Sequence, residues 1–259
     1  MLAPLILAVS CTVASGFSVV AGGTGVLGHR LLDTLLANGG AATCLARNAY
    51  LARTPKRISH DWGHLPKRLH DARGLKVRDY CGGCPLDIVG QDWIGWQDDA
   101  LPGATAVYNV AGPMSQDRLL LAQRMAEGLK RHPPKVFVSV EPTQAAMEGG
   151  AMTSFVGRCL DMFDSCAAEY SAIPATTRRI RVKLPQLVGN AAAGQPTVPM
   201  NKVQGDWIHV ADAAACLARC AADESISGEV SITAAGGIVD AKGNTVFREL
   251  EFGEWGSWA

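Results

Sequence analysis

The chain has no surplus of charge. Across 259 residues, 24 Lys and Arg are set against 24 Asp and Glu, so no global field draws it to nucleic acid or an anionic membrane. It also lacks a long apolar run, since Leu5 to Val9 is too short to span a bilayer. No internal repeat is present beyond an alternation of strands and helices. Cysteine is not scarce, but its spacing lacks pattern: Cys11, Cys44, Cys81, Cys84, Cys159, Cys166, Cys216 and Cys220 are scattered. A chain this long, 48% apolar, can build a core without a disulfide scaffold. Cys81-Gly82-Gly83-Cys84 has the spacing of a redox pair or half a metal site. A second pair at zinc spacing is missing, because Cys159/Cys166 and Cys216/Cys220 fall on predicted helices. The motif therefore reads as a turn with two free thiols, and no metal site is expected.

Residues 1–16 contain no charged side chain, and Ala14-Ser15-Gly16 supplies small residues ahead of Phe17, as cleavage sites do. Read as a targeting leader, this segment implies an organelle, plastid or mitochondrion. Read as a strand-like extension, it leaves the protein cytoplasmic. The expected organisation is a leader over 1–16, a nucleotide-binding domain over 17–235 and a short tail over 236–259.

What is present begins at Ser18. Ser18 to Ala21 is a short apolar strand, and Gly22-Gly23-Thr24-Gly25-Val26-Leu27-Gly28 is a glycine turn opening a helix that carries Leu31, Leu32, Leu35 and Leu36. Gly22, Gly25 and Gly28 recur every third residue. Such glycines allow a tight turn, close approach of backbone to a pyrophosphate, and close packing of helix on strand. The phosphates would lie at the helix N-terminus, where unpaired N–H groups and the helix dipole favour negative charge.

Asn38-Gly39-Gly40 stops that helix, and Ala41 to Ala46 reads as a second strand ending in Arg47-Asn48. A site for NAD places Asp or Glu here, to bind both ribose hydroxyls. No acidic residue lies between Asp33 and Asp61. Arg47 stands there instead, followed by Arg53, Lys56 and Arg57, which favours the 2′-phosphate of NADP over NAD. Further strands are expected around Leu75 to Val77, over Ala106 to Val110, Val136 to Val140, Arg179 to Leu184 and Gly228 to Thr233. Helices are expected over Ser115 to Arg131 and near Ser154 to Tyr170. This alternation predicts an α/β fold with a doubly wound parallel sheet of Rossmann type.

Four landmarks carry a family resemblance: Gly22 to Gly28, Val107-Tyr108-Asn109-Val110-Ala111-Gly112, Leu184-Pro185-Gln186-Leu187-Val188-Gly189, and Trp207-Ile208-His209-Val210-Ala211-Asp212. In order and spacing they resemble the atypical or extended short-chain dehydrogenase/reductases, above all the NAD-dependent epimerase-like subgroup of sugar-nucleotide epimerase type. The resemblance implies that the Ala111-Gly112 turn lies against the cofactor, that the end of the Ser139 strand passes beside the nicotinamide, and that the loop at Pro185 closes over the nicotinamide ribose. Asp212 is expected to cap the following helix, with His209 structural.

The chain departs from that family where chemistry is expected. The family uses a Tyr with a Lys four residues later, but Thr54, Cys84, Gly112 and Pro174 stand four residues after the four tyrosines. The corresponding helix face shows Phe155, Cys159, Met162 and Phe163. Near the family's catalytic Ser or Thr stand Glu141, readable as an acid or base or as a loop residue ahead of Pro142, and Thr143. The substrate lobe is reduced to a tail bearing Phe252, Trp255 and Trp258, which could contact a protein partner or fold back on the chain. Two functions follow as expectations. One is an NADP(H)-binding reductase or epimerase-like protein, possessing if active a carbonyl or alcohol substrate. The other is a catalytically inactive, cofactor-binding structural or assembly subunit of a larger organellar complex.

Overall fold

A computed structural model describes residues 16–54, 63–80, 95–112, 118–143, 167, 169–189, 207–234 and 236–247. Residues 1–15 of the expected leader, the Cys81 to Cys84 motif, the Phe155 to Phe163 face and the aromatic residues of the tail lie outside the described residues.

Phe17–Ala21 forms β1, and its Val19, Val20 and Ala21 are fully buried. A strand buried on both faces is what a parallel sheet flanked by helices requires. Val26–Ala37 follows as α1, with Leu27, Leu31 and Leu32 buried and Leu35 and Leu36 packed against the same core. Asn38 ends the helix. Gly39 then turns back with φ of +75° and donates to the Leu36 carbonyl at 3.0 Å, a conformation that glycine adopts without strain. The chain continues through β2 (Ala41–Ala46), α2 (Ala49–Arg53), α3 (Lys67–His70), β3 (Leu75–Asp79), α4 (Trp96–Ala100), β4 (Ala104–Asn109), α5 (Arg118–Arg131) and β5 (Val136–Pro142). Next come β6 (Arg178–Leu184), β7 (Gln186–Val188), β8 (Trp207–His209), α6 (Val210–Ala222), β9 (Gly228–Ile232), β10 (Ile238–Asp240) and β11 (Thr245–Phe247).

The described residues form a nine-stranded sheet in the order β11-β10-β9-β6-β5-β4-β1-β2-β3. From β3 to β9 neighbouring strands run parallel, while β9, β10 and β11 pair antiparallel. β7 and β8 make a separate parallel pair. Strand order reverses between β1 and β4, so the crevice at their C-terminal ends is the topological switch point where open α/β sheets receive ligands. One face of the sheet packs on α1 and α6 through Val20, Leu31, Tyr108, Val138, Ile180 and Leu217. The opposite face packs Val19, Val107 and Phe137 against Trp96, Leu101 and Met125. The doubly wound Rossmann-type sheet expected from the alternation is therefore present. The segment read as a short tail opens with the β10–β11 hairpin, which extends the same sheet.

Candidate functional site

Gly22 ends β1 with φ of +81°, and a Cβ there would lie 2.6 Å from the Ala111 amide nitrogen. Both backbone handedness and space demand glycine. The Gly25 amide donates to the Gly22 carbonyl at 2.9 Å, closing the turn. A Cβ on Gly28 would stand 2.1 Å from the same carbonyl oxygen, so α1 approaches β1 as closely as it does because that residue has no side chain. At Gly23 the neighbour is the Cys44 sulfur, 2.5 Å from a notional Cβ. Burial pushes the Cys44 thiol up to about 12, which makes it an inert packing atom.

The N-terminus of α1 is open. Its N-cap residue, Gly25, has extended backbone and offers no side-chain acceptor, and the first turn carries no acidic residue. Thr24 is half-buried, while Gly25 and Val26 are exposed. First-turn amides have no intrahelical acceptor, and here no side chain of the cap supplies one. The turn at the end of β4 stands beside this mouth. The Val110 amide donates to the Ala21 carbonyl at 3.0 Å, and the Asn109 side-chain oxygen accepts from the Ala111 amide at 3.3 Å. Together they hold Ala111 against Gly22, with Gly112 the next residue of the turn. Of the expected set, Gly22 to Gly28 make the bend and the first turn of α1, Gly23, Leu27 and Gly28 being buried, and Ala111 lies beside Gly22.

Arg47 and Asn48 lie at the end of β2 as expected. Asn48 is buried, and its side-chain oxygen accepts from the Leu51 amide at 2.8 Å, capping α2. Arg47 is half-buried, Arg53 is exposed, and the Tyr50 ring is 80% exposed. A carboxylate missing from β2 itself arrives from the neighbouring strand: Asp79, at the end of β3, accepts the Ala49 amide.

Ser139, in β5, is fully buried. Its hydroxyl donates to Glu169 at 3.1 Å inside a buried cluster, where Arg118 meets both Glu169 oxygens at 3.0 and 3.2 Å and the Asn109 amide completes the set. Each of these four side chains is at most 3% exposed. A buried Arg–Glu pair holds only if its remaining polar atoms are satisfied, and Ser139 and Asn109 help do so. The cluster fastens α5 and the helical residues 169–172 to the ends of β4 and β5.

Glu141 belongs to β5 rather than to a loop, and it is fully buried. One of its oxygens accepts from Arg181 at 2.8 and 3.0 Å, and the other has no hydrogen-bond partner among the described residues. Burial raises its pKa above the usual carboxylate range, opposed by Arg181 and then Lys183. Lys183 is itself held by Glu229 at 2.5 Å. Thr143 is half-buried and joins β6 through its amide, which donates to the Leu184 carbonyl at 2.8 Å. Pro185, the next residue after β6, is buried.

Asp212 is not the cap of α6. That helix begins at Val210, and His209 caps it, Nδ1 accepting from the Ala211 amide at 3.2 Å. The imidazole also lies against Gly189, where a Cβ would be 2.5 Å from Nε2. His209 is structural, and Asp212 places its charge in the first turn instead. Among the described residues no group of three or more His, Cys, Asp and Glu is arranged to hold a metal ion. No described helix is long and apolar enough to cross a membrane. The pairing of Glu169 with Arg118 had no local sequence signal, because the partners are 51 residues apart.

No family model matches the chain, and no curated protein does so. Solved structures do. The Bordetella bronchiseptica enzyme WbmF in complex with NADH matches at 15% identity and a TM-score of 0.60, over 96% of this chain and 84% of that one. The human epimerase-family protein SDR39U1 (isoform 2) with NADPH matches at 18% identity and a TM-score of 0.51, over 85% and 74%. Vestitone reductase from alfalfa (Medicago sativa) matches at 15% identity and a TM-score of 0.51, over 84% and 76%. At such identities the likeness establishes architecture: the chain has the Rossmann-type fold on which these epimerase and reductase structures are built.

Proposed function

We propose that the protein binds a nicotinamide dinucleotide, NADP(H) in preference to NAD(H), and works as an atypical reductase or epimerase-like enzyme on a carbonyl or alcohol substrate. The observation that carries this reading is the open first turn of α1 behind a glycine bend whose Cβ positions are closed by backbone. Amides of Val26, Leu27 and Gly28 supply donors to a diphosphate, and the helix dipole adds to their pull. Three similar structures were solved with NADH, NAD+ and NADPH, which supports a dinucleotide at this mouth. Arg47, with Arg53 further along α2, supports the 2′-phosphate. Pro185 and the Ala111-Gly112 turn would flank the nicotinamide half. The cofactor supplies the hydride chemistry, while the protein orients it and sets the charge around it.

The test is a fluorescence titration with NADPH on the wild type and on Val26→Asp. Val26 is 39% exposed, and an acidic residue in the first turn of a helix favours folding. The variant is therefore expected to fold as the wild type does and to bind NADPH at least tenfold more weakly, because its carboxylate meets the diphosphate. Unchanged affinity would remove the diphosphate from this helix.

A further inference from the structure

The site described above leaves one group unused: a carboxyl in the strand next to the switch point, fully buried, with one oxygen lacking a partner among the described residues. Register places it. β4 and β5 are paired up to Asn109 and Ser139, so Glu141 stands one pleat beyond, level with the Ala111-Gly112 turn that borders the crevice. Its side of the sheet is the one on which Asn109 and Ser139 point.

We propose, building on the dinucleotide reading, that Glu141 discriminates oxidised from reduced cofactor: its carboxylate favours the cationic oxidised nicotinamide, and its neutral form favours the uncharged reduced ring. The charges facing it make this a balanced device. Arg181 on β6 holds one Glu141 oxygen and also approaches Glu229 of β9 at 3.6 Å, while Lys183 of β6 is taken by Glu229 at 2.5 Å. With Glu141 ionised, these four groups sum to zero charge. With Glu141 protonated they carry one positive charge, which repels a cationic ring and leaves a neutral one undisturbed. The other described charges on this face are already spent. Arg118 is closed on Glu169 together with Ser139 and Asn109, and Arg179 lies over the Tyr170 ring at 4.8 Å while donating to the Tyr170 carbonyl at 3.1 Å.

Burial raises the Glu141 pKa and Arg181 opposes the rise, so the group titrates above the ordinary carboxylate range. No bond to carbon changes in this step. Binding the oxidised cofactor releases a proton from Glu141 to solvent, and binding the reduced cofactor does not. The 2′-phosphate of NADP titrates in both redox forms and drops out of the comparison.

The experiment measures dissociation constants for NADP+ and NADPH on the full chain from pH 5 to 9, with proton release followed in weak buffer. The affinity ratio is expected to move about tenfold in favour of NADP+ as pH rises, the order of a unit-charge interaction in partly screened surroundings. Glu141→Gln should flatten the ratio, and Arg181→Gln should shift its midpoint to higher pH. Should Glu141→Gln not fold, the Arg181→Gln midpoint and the wild-type proton release decide. A ratio that stays flat in the wild type, a slope that survives in Glu141→Gln, or a midpoint unmoved in Arg181→Gln overturns the assignment. If neither dinucleotide binds at any pH, the cofactor reading falls as well. Binding with a flat ratio overturns this inference alone.

Discussion

His29 sits one turn into α1, buried, and its ring nitrogen bonds the Gly25 carbonyl beside the glycine bend. Burial, then the charges of Arg68 and Arg30, hold its pKa down at about 4 against an ordinary 6.5. The neutral ring is what folding selects. A depressed value means the unfolded chain binds the proton first, so the contribution to stability is complete above pH 6.5 and drains away as pH falls toward 4. The shift corresponds to about 3 kcal/mol across that window. His29→Gln keeps an N–H donor but cannot titrate. Denaturant unfolding between pH 4 and 7 should show a shallower slope for the variant, and parallel slopes would deny that His29 is buried neutral. At the other rim, Arg47→Ala should weaken NADPH about tenfold or more while leaving NADH within about twofold, since only one carries the 2′-phosphate that a guanidinium grips in bidentate fashion. Equal losses for the two cofactors would place the phosphate elsewhere.

Among whole elements, α6 depends on a residue far from it in sequence. Arg178, the first residue of β6, donates to the Cys220, Asp223 and Ile226 carbonyls at 2.9, 2.8 and 2.6 Å and also to that of Ala221. Cys220 and Ala221 carry orphan carbonyls of the helix end, and Asp223 and Ile226 belong to the turn that leaves it. Arg178→Met keeps the apolar stem and strands them, and should lower stability by about 2–3 kcal/mol, the scale of charge-assisted hydrogen bonds to partly buried groups. Calorimetry measures it, with NADPH affinity expected to stay unchanged; a neutral variant would mean that water serves those carbonyls equally well. β1, α1 and the glycine bend were legible because their signals are local: an apolar run, a helical leucine stripe, and glycines three apart. The Arg178 clamp, the Glu169 cluster and the placement of Asp79 over α2 were not, since each is a polar contact between residues 30 to 60 apart. Three-residue strands such as β7, β10 and β11 carry too little periodicity to announce themselves. The α6 cap differs from the expectation for a related reason. Asp212 is the better cap by residue type, but the β8 pairing of Val188 with His209 ends the strand earlier and makes the imidazole the acceptor.

On the scale of the molecule, the site is a joint. The bend after β1, the turn after β4 and the end of β2 belong to the two halves wound outward from the switch point. A dinucleotide stretched from Arg47 to the Ala111-Gly112 turn would tie those halves together. Nothing of that tie exists in the unfolded chain, so ligand binding must raise the unfolding free energy by mass action: about 2.7 kcal/mol at a hundred times the dissociation constant. For a domain of this size each kcal/mol moves the melting temperature by about 2–4 °C, so saturating NADPH should raise it by about 5–10 °C. The rise should grow with the logarithm of NADPH concentration and shrink both with NADH and in Val26→Asp, to about half or less of the wild-type rise at the same NADPH concentration, while the melting temperature of Val26→Asp without cofactor should match the wild type or exceed it. A melting curve indifferent to NADPH up to millimolar concentration would mean that the two halves are joined by their own sheet alone, and that the open amides of α1 receive something other than a dinucleotide.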